Sequence, residues 1–139
     1  MPLRPGFDVQ RFNHFGKDHF PSFVGLVLTE VAEGLVKGEL ELRKVLLAPN
    51  GYLHAGAIIT FADTLAGYGC IAHLPGNAQN FTTVELKANF LNTAAEGMLY
   101  GEARAVHLGR TTQVWDATVT HGDRKLALFR CTQLVLYPK

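Results

Sequence analysis

Residues 50–67 read NGYLHAGAIITFADTLAG. A polar turn with Asn50 and Gly51 passes through His54 and two small residues, Ala55 and Gly56, into a segment that is apolar on every side. A helix that is hydrophobic all round is a buried helix. One carboxylate, Asp63, sits in the middle of it. A buried carboxylate is costly unless it is neutralised, partnered or kept for chemistry. The expected helix covers residues 54–74 and is stopped by Pro75-Gly76. Residues 57–72 are apolar enough to suggest a membrane span, but they are too short for one and are interrupted by Asp63 and two glycines. The reading is a buried helix of a soluble protein.

Upstream, Phe7, Phe12, Phe15, Phe20 and Phe23 make residues 7–23 rich in phenylalanine. A short helix is expected over residues 9–15, and Pro21 ends whatever helix precedes it. Residues 24–31 and 35–42 read as a hairpin turning near Glu33-Gly34. Residues 38–43, GELELR, alternate polar and apolar, which leaves one face in solvent. Downstream, residues 81–91, 98–107, 111–121 and 125–137 are four strand-like runs rich in β-branched and aromatic residues. They are broken at Ala95-Glu96-Gly97, Leu108-Gly109-Arg110 and Gly122-Asp123. Trp115 and Phe129 alternate as residues of an inward face. Six long antiparallel strands give a curved sheet with one apolar face, and the single long helix can cover it. The fold class is α+β.

The chain has 139 residues, which suits one domain over 1–139. A hydrophobic fraction of 47% against 18% charged excludes a disordered chain. A formal net charge of +1 provides no general pull toward nucleic acid or a membrane surface, so any anionic ligand must be held by local charges. Cys70 and Cys131 lie in apolar surroundings and read as buried free thiols, with a Cys70–Cys131 disulfide as the alternative. Residues 1–7 contain no apolar signal core, and the expected location is the cytoplasm. His14, His19, His73, His107 and His121 show no metal-ligand spacing, so no metal is expected.

The order of motifs resembles a known family. Leu53-His54-Ala55-Gly56, Ala62-Asp63-Thr64, Thr82-Thr83-Val84-Glu85-Leu86, Asn89-Phe90-Leu91 and Gly109-Arg110-Thr111 look like the acyl-CoA thioesterases of the phenylacetate-pathway (PaaI) type, across roughly residues 20–137. The resemblance implies a hotdog fold, a curved antiparallel six-stranded sheet wrapped around one long helix. It also implies roles by position: a basic or nucleophilic carboxylate at Asp63, an oxyanion-binding amide at Ala55, a water-positioning side chain at Asn50 and a supporting hydroxyl at Thr83. There are two departures. The family usually has His-Gly-Gly where this chain has His-Ala-Gly, and its Asn-to-His spacing is longer. CoA enters as part of the substrate, and no separate cofactor is implied. His19-Phe20-Pro21 is superficially similar to the histidine motif of hotdog dehydratases, but it lies well upstream of the central helix.

The residues can carry the implied chemistry. The first turn of a helix offers unpaired N–H groups and a partial positive charge, and Ala55 and Gly56 sit where those donors should be. Gly56 also has a structural reading, as a residue that permits close helix–strand packing. Asp63 can act as base to a water or as nucleophile, and its structural alternative is a buried aspartate satisfied by neighbouring donors. His54 is either a base or the anchor of the turn. For the CoA phosphates Arg110 is the first candidate, ahead of Lys87, Arg104 and Arg124; each is otherwise a solvated charge. The Phe-rich segment is either an acyl tunnel or lid, or core packing.

Nine residues separate His54 from Asp63, about 900° of rotation and about 13.5 Å of rise on a helix. One helix would struggle to place both groups in one site. Two helices lying antiparallel across a two-fold axis can, so a homodimer at minimum, and a homotetramer built from it, is expected. The function expected is hydrolysis of acyl-CoA thioesters carrying small or medium acyl groups, aromatic ones included. The competitors are a non-catalytic acyl-CoA-binding module and an acyl-thioester hydratase or dehydratase. Against the latter, the histidine here precedes the aspartate on the helix.

Overall fold

The computed structural model describes residues 1–139 and contains the expected elements with one additional short helix. In chain order they are α1 (Val9–Phe15), α2 (Phe20–Val24), β1 (Leu26–Ala32), β2 (Leu35–Glu41), a 3-10 turn (Lys44–Leu46), α3 (Ala55–Ala72), β3 (Asn80–Phe90), β4 (Met98–Leu108), β5 (Thr112–His121) and β6 (Arg124–Leu136). Asp8 starts α1 by accepting a hydrogen bond from the Arg11 N–H.

Two expectations upstream of the central helix need correction. Pro21 does not end a helix; it lies in the first turn of α2, just after the cap residue His19, where a missing N–H costs nothing. The His19-Phe20-Pro21 run is therefore a helix start. Residues 24 and 25 are not strand, because Val24 closes α2 and Gly25, with φ at 96°, is its left-handed cap. The long helix is also slightly shorter than expected: His54 caps its start, and His73, not Leu74, caps its end.

The six strands form one antiparallel sheet in the order β1-β2-β4-β5-β6-β3. Alternate residues face α3: Val36 and Leu40, Leu99 and Ala103, Trp115, Ala117 and Val119, Phe129, Cys131 and Val135 are all buried. Trp115 and Phe129 take the inward places their phase predicts. The apolar helix is covered by the chain's own sheet, with Phe61, Ala62, Leu65 and Ala66 fully enclosed. It sits very close to the strands. Gly38 and Gly101 are register partners on β2 and β4, and a Cβ on Gly101 would fall 2.6 Å from Leu65 Cδ1 and 2.7 Å from Phe61 Cζ. This is the hotdog arrangement, a sheet wrapped around one helix.

Both cysteines are free and buried. Burial, and secondarily a neighbouring charge, pushes each thiol up to about 12. The phenylalanines of the N-terminal segment divide. Phe12 is core and stacks on Tyr68 of α3 with ring centroids 4.7 Å apart, whereas Phe15, Phe20 and Phe23 are exposed. At the other end of the sheet β3 is an edge strand of 11 residues, with Val84, Leu86 and Phe90 exposed on it.

Candidate active site

The start of α3 is built by a tight loop. Gly51, with φ at 89°, turns the chain, the Ala48 N–H bonds the Tyr52 carbonyl at 2.7 Å, and Leu47 bridges to Leu53. Asn50 serves this loop itself: its Oδ1 accepts the Tyr52 N–H at 3.1 Å. His54 then caps the helix, its Nδ1 accepting the Gly56 N–H at 2.8 Å. The atoms nearest a Cβ built on Gly56 belong to the His54 ring, at 2.9 and 3.0 Å. Gly56 therefore makes room for its own cap, rather than for a strand as its structural reading supposed. The Ala57 N–H bonds the His54 carbonyl. That leaves the Ala55 N–H, exposed on the first turn, as a donor with no acceptor in the chain.

Asp63 is half-buried, and its Oδ1 is fully enclosed without a hydrogen-bond partner. Burial holds its carboxyl above the ordinary value of 3.8. Its neighbourhood is the side of α3 that faces β3 and β6. Gly67, one turn further along the same helix face, approaches Phe81 of β3, and the Asp63 charge bears on the Cys131 thiol of β6. On that inner face the Thr83 hydroxyl donates to Gln133 Oε1 at 2.7 Å.

The structure thus brings Asp63 and Thr83 to one side of the helix. It places Asn50, His54, Ala55 and Gly56 together at the helix start. Eight residues separate Ala55 from Asp63, about 12 Å along the axis, so the two groups are not joined within one chain. Arg110 is exposed in the β4–β5 turn, with its carbonyl bonded by the Tyr137 hydroxyl. Arg104 pairs with Glu102 and Arg124 bonds Asn92, whereas Arg110 and Lys87 carry no ion pair. No three His, Cys, Asp or Glu side chains gather in a way that could hold a metal ion.

Two groups of buried polar residues escaped the sequence reading. One is Gln133, which lies in phase with Phe129, Cys131 and Val135; a polar residue at an inward position was the available signal. The other joins His73, Gln113 and Trp115. The Gln113 Nε2 donates to the His73 carbonyl at 3.1 Å, and the Trp115 Nε1 donates to Gln113 Oε1 at 2.9 Å. It locks the end of α3 to β5.

Comparison with known proteins agrees with this architecture. A family model described as the thioesterase superfamily matches residues 50–128. The 1,4-dihydroxy-2-naphthoyl-CoA hydrolase of Listeria monocytogenes is 31% identical over 110 residues, covering 78% of this chain and 89% of that protein. A crystal structure of a single-residue mutant of the thioesterase PA1618 from Pseudomonas aeruginosa superposes with a TM-score of 0.92 at 25% identity, over 98% of this chain and 99% of that one. The PaaI protein of the Escherichia coli phenylacetic acid degradation operon shares the fold, with a TM-score of 0.80 at 20% identity over 91% and 90% of the two chains. The helix, the wrapped sheet and the matched family model lead to one conclusion: the chain belongs to the thioesterase superfamily and is a hotdog-fold thioesterase.

Proposed function

We propose that this thioesterase hydrolyses acyl-CoA thioesters of small or medium acyl groups, aromatic ones included, at a site completed by a second copy of the chain. The observation that carries the reading is the pair of unsatisfied groups on α3: a free Ala55 N–H at its start and an unpartnered Asp63 carboxylate oxygen in its middle. The first suits an oxyanion and the second suits attack on a carbonyl or activation of water. Since about 12 Å of helix lies between them, a single thioester carbonyl reaches both only if they come from different chains. The unpaired edge of β3, with its exposed apolar residues, is the surface that supports pairing to a second copy, and a dimer of such dimers gives the homotetramer. The Listeria relative, a 1,4-dihydroxy-2-naphthoyl-CoA hydrolase, supports a CoA thioester with an aromatic acyl group. Arg110 is the proposed partner for the CoA phosphates, and two free buried thiols suit the reducing cytoplasm.

In the reaction the thioester carbonyl oxygen gains charge at the Ala55 N–H while Asp63 activates or delivers the attacking oxygen. The tetrahedral intermediate then collapses, the C–S bond breaks and the sulfur of CoA leaves with the electron pair. Thiol release from a panel of acyl-CoAs tests the assignment. Wild type is expected to release CoA, and Asp63→Ala of confirmed fold and assembly to lose at least about a hundredfold. No release from any acyl-CoA would overturn the substrate class, and equal release by both proteins would overturn the role of Asp63.

The shared site has its own test. Ala55→Pro removes the proposed donor at a helix position that tolerates proline, after a residue already extended at φ −65° and ψ 131°. Asp63→Ala and Ala55→Pro are each expected to be inactive alone. Unfolded together and refolded as a mixture, they regain activity, because a mixed dimer holds one intact site. Mixtures as inactive as the single variants would show that the site is not shared.

A further inference from the structure

Gln133 is wholly buried on the inner face of β6, where its Oε1 accepts the Thr83 hydroxyl at 2.7 Å and its Nε2 reaches Cys131 Sγ at 3.4 Å. A buried amide is an expensive group to place among Phe129, Cys131 and Val135 unless it is needed there. Its position relative to Asp63 follows from the path of the chain. Ala78 and Phe81 pack against Leu74 and Cys70, and Phe81 also against Gly67, so β3 runs back along α3. Thr83 is two residues past Phe81 on the same side of the strand, which brings it level with Asp63. A register shift between Thr83 and Glu85 marks a bulge beside Thr83, a common device for re-aiming a side chain next to a site.

A threonine hydroxyl has one proton. With that proton held by Gln133, Thr83 presents only lone pairs to its surroundings, and an ionised Asp63 does the same. Two acceptors are joined by a molecule with two donors, and water is that molecule. We infer that Gln133 is a positioning residue for hydrolysis: by holding the Thr83 proton it makes Thr83 an acceptor for the attacking water, with Asp63 as that water's base. The inference rests on the reading of Asp63 as the catalytic carboxylate and selects between the two routes left open for it. One water hydrogen points to Thr83 Oγ1 and the other to Asp63. The water oxygen bonds the thioester carbon, its proton passes to Asp63, and the carbonyl electron pair moves onto the oxygen. On collapse the C=O bond reforms, the C–S bond breaks, and Asp63 returns the proton to the departing sulfur.

Two titratable groups lie near Asp63, Cys131 and Glu85. Cys131 on β6 is kept neutral by burial, and Glu85 on β3 bonds Thr132.

The test is steady-state kinetics across pH with benzoyl-CoA and hexanoyl-CoA, on wild type, Gln133→Met, Thr83→Val, the double variant and Asp63→Ala. Gln133→Met is expected to lower kcat about tenfold, the effect of one hydrogen bond, with KM within about twofold. Its acid limb moves to lower pH, because the released Thr83 hydroxyl then donates to the Asp63 carboxylate and favours the charged form. The double variant matches Thr83→Val alone, since Gln133 acts only through Thr83. An unmoved pH profile in Gln133→Met, or a double variant that loses the product of both effects, would overturn the inference. A single turnover of wild type in water labelled with heavy oxygen is independent of any variant's folding. Label found in Asp63 overturns the water route, and its absence from Asp63 together with a shifted acid limb in Gln133→Met supports it. Undiminished activity in Asp63→Ala would instead sink the underlying reading.

Discussion

Replacing Gly69 by alanine sets helix propensity against packing, and packing should win. An exposed mid-helix Gly→Ala change gains about 1 kcal/mol. At Gly69 the new Cβ would lie 2.6, 2.7 and 2.9 Å from Cη2, Cζ3 and Cζ2 of Trp115. Carbon atoms in contact prefer about 3.5–4.0 Å, so one ring edge would have to move by nearly an ångström. Trp115 is fully buried, its Nε1 is held by Gln113 at 2.9 Å, and the His73 ring lies with its centroid 5.4 Å away. Overpacking of this kind costs about 1–3 kcal/mol, and strain on the buried Trp115–Gln113 hydrogen bond adds about 1 kcal/mol. The net expectation is a loss of about 1–3 kcal/mol. Gly67→Ala is the control on the same helix. Its Cβ meets only the tip of Phe81, at 3.1 Å, and that ring is partly exposed on the edge strand. It should be neutral or stabilising by up to about 1 kcal/mol. Urea unfolding at one fixed protein concentration, followed by the fluorescence of the single tryptophan, measures both. Gly69→Ala as stable as wild type with an unchanged emission spectrum would refute the claim that Trp115 is fixed.

Three further outcomes follow from the buried and capping groups and the exposed arginine. His73 donates from Nδ1 to the Gly69 carbonyl and must then accept the Gly34 N–H with Nε2, so it is neutral in the fold. Burial lowers its pKa below 6.5, so its contribution is present above that value and is lost as pH falls beneath it; Tm should fall between about pH 7.5 and about pH 5.5 in wild type, and less in His73→Asn. Equal slopes would show that His73 does not titrate on unfolding. His54→Ala removes the helix cap and should cost about 1 kcal/mol in urea unfolding, with no effect if the cap bond is broken in solution. Arg110→Gln should raise KM for an acyl-CoA while leaving the same acyl-pantetheine thioester unchanged; parallel changes in both substrates would remove Arg110 from phosphate binding.

The elements are legible where periodicity is local. The all-round apolar run at 55–72, the alternation in β2, β5 and β6, and the Gly-containing breaks each carry their own signal. Pro21 reads as a stop because a helix start and a helix stop share that residue, and only the cap at His19 tells them apart. The position of β3 beyond β6, at the edge, depends on pairings more than about 35 residues apart that no local pattern encodes. For the site, Asp63 and the small residues at 55–56 stand out because they contradict or interrupt an apolar helix. Gln133 does not, since polar residues in an alternating strand are ordinarily outward. Its phase with the inward Phe129, four residues earlier on the same strand, was the one signal for it.

The most direct separation of a functional from a structural Asp63 is a stability measurement. A structural aspartate is held by donors, and removing its charge weakens the fold. The observed carboxylate has an enclosed Oδ1 with no donor, and burial raises its pKa above 3.8. Above the folded pKa the group is charged both in the fold and in the unfolded chain, but only the fold bears the desolvation, so the destabilisation is complete at neutral pH. It is relieved as pH falls through the folded pKa, where the native state takes up a proton that the unfolded chain still lacks. Asn has nearly the shape of Asp and no charge. Asp63→Asn is therefore expected to raise the urea midpoint at neutral pH, with a gain that shrinks as the pH is lowered through the folded pKa, while activity collapses. Stability gained where function is lost is the signature of a group retained for chemistry. A midpoint that falls at neutral pH would mean that donors hold the carboxylate in solution, and the structural reading of Asp63 would then replace the catalytic one.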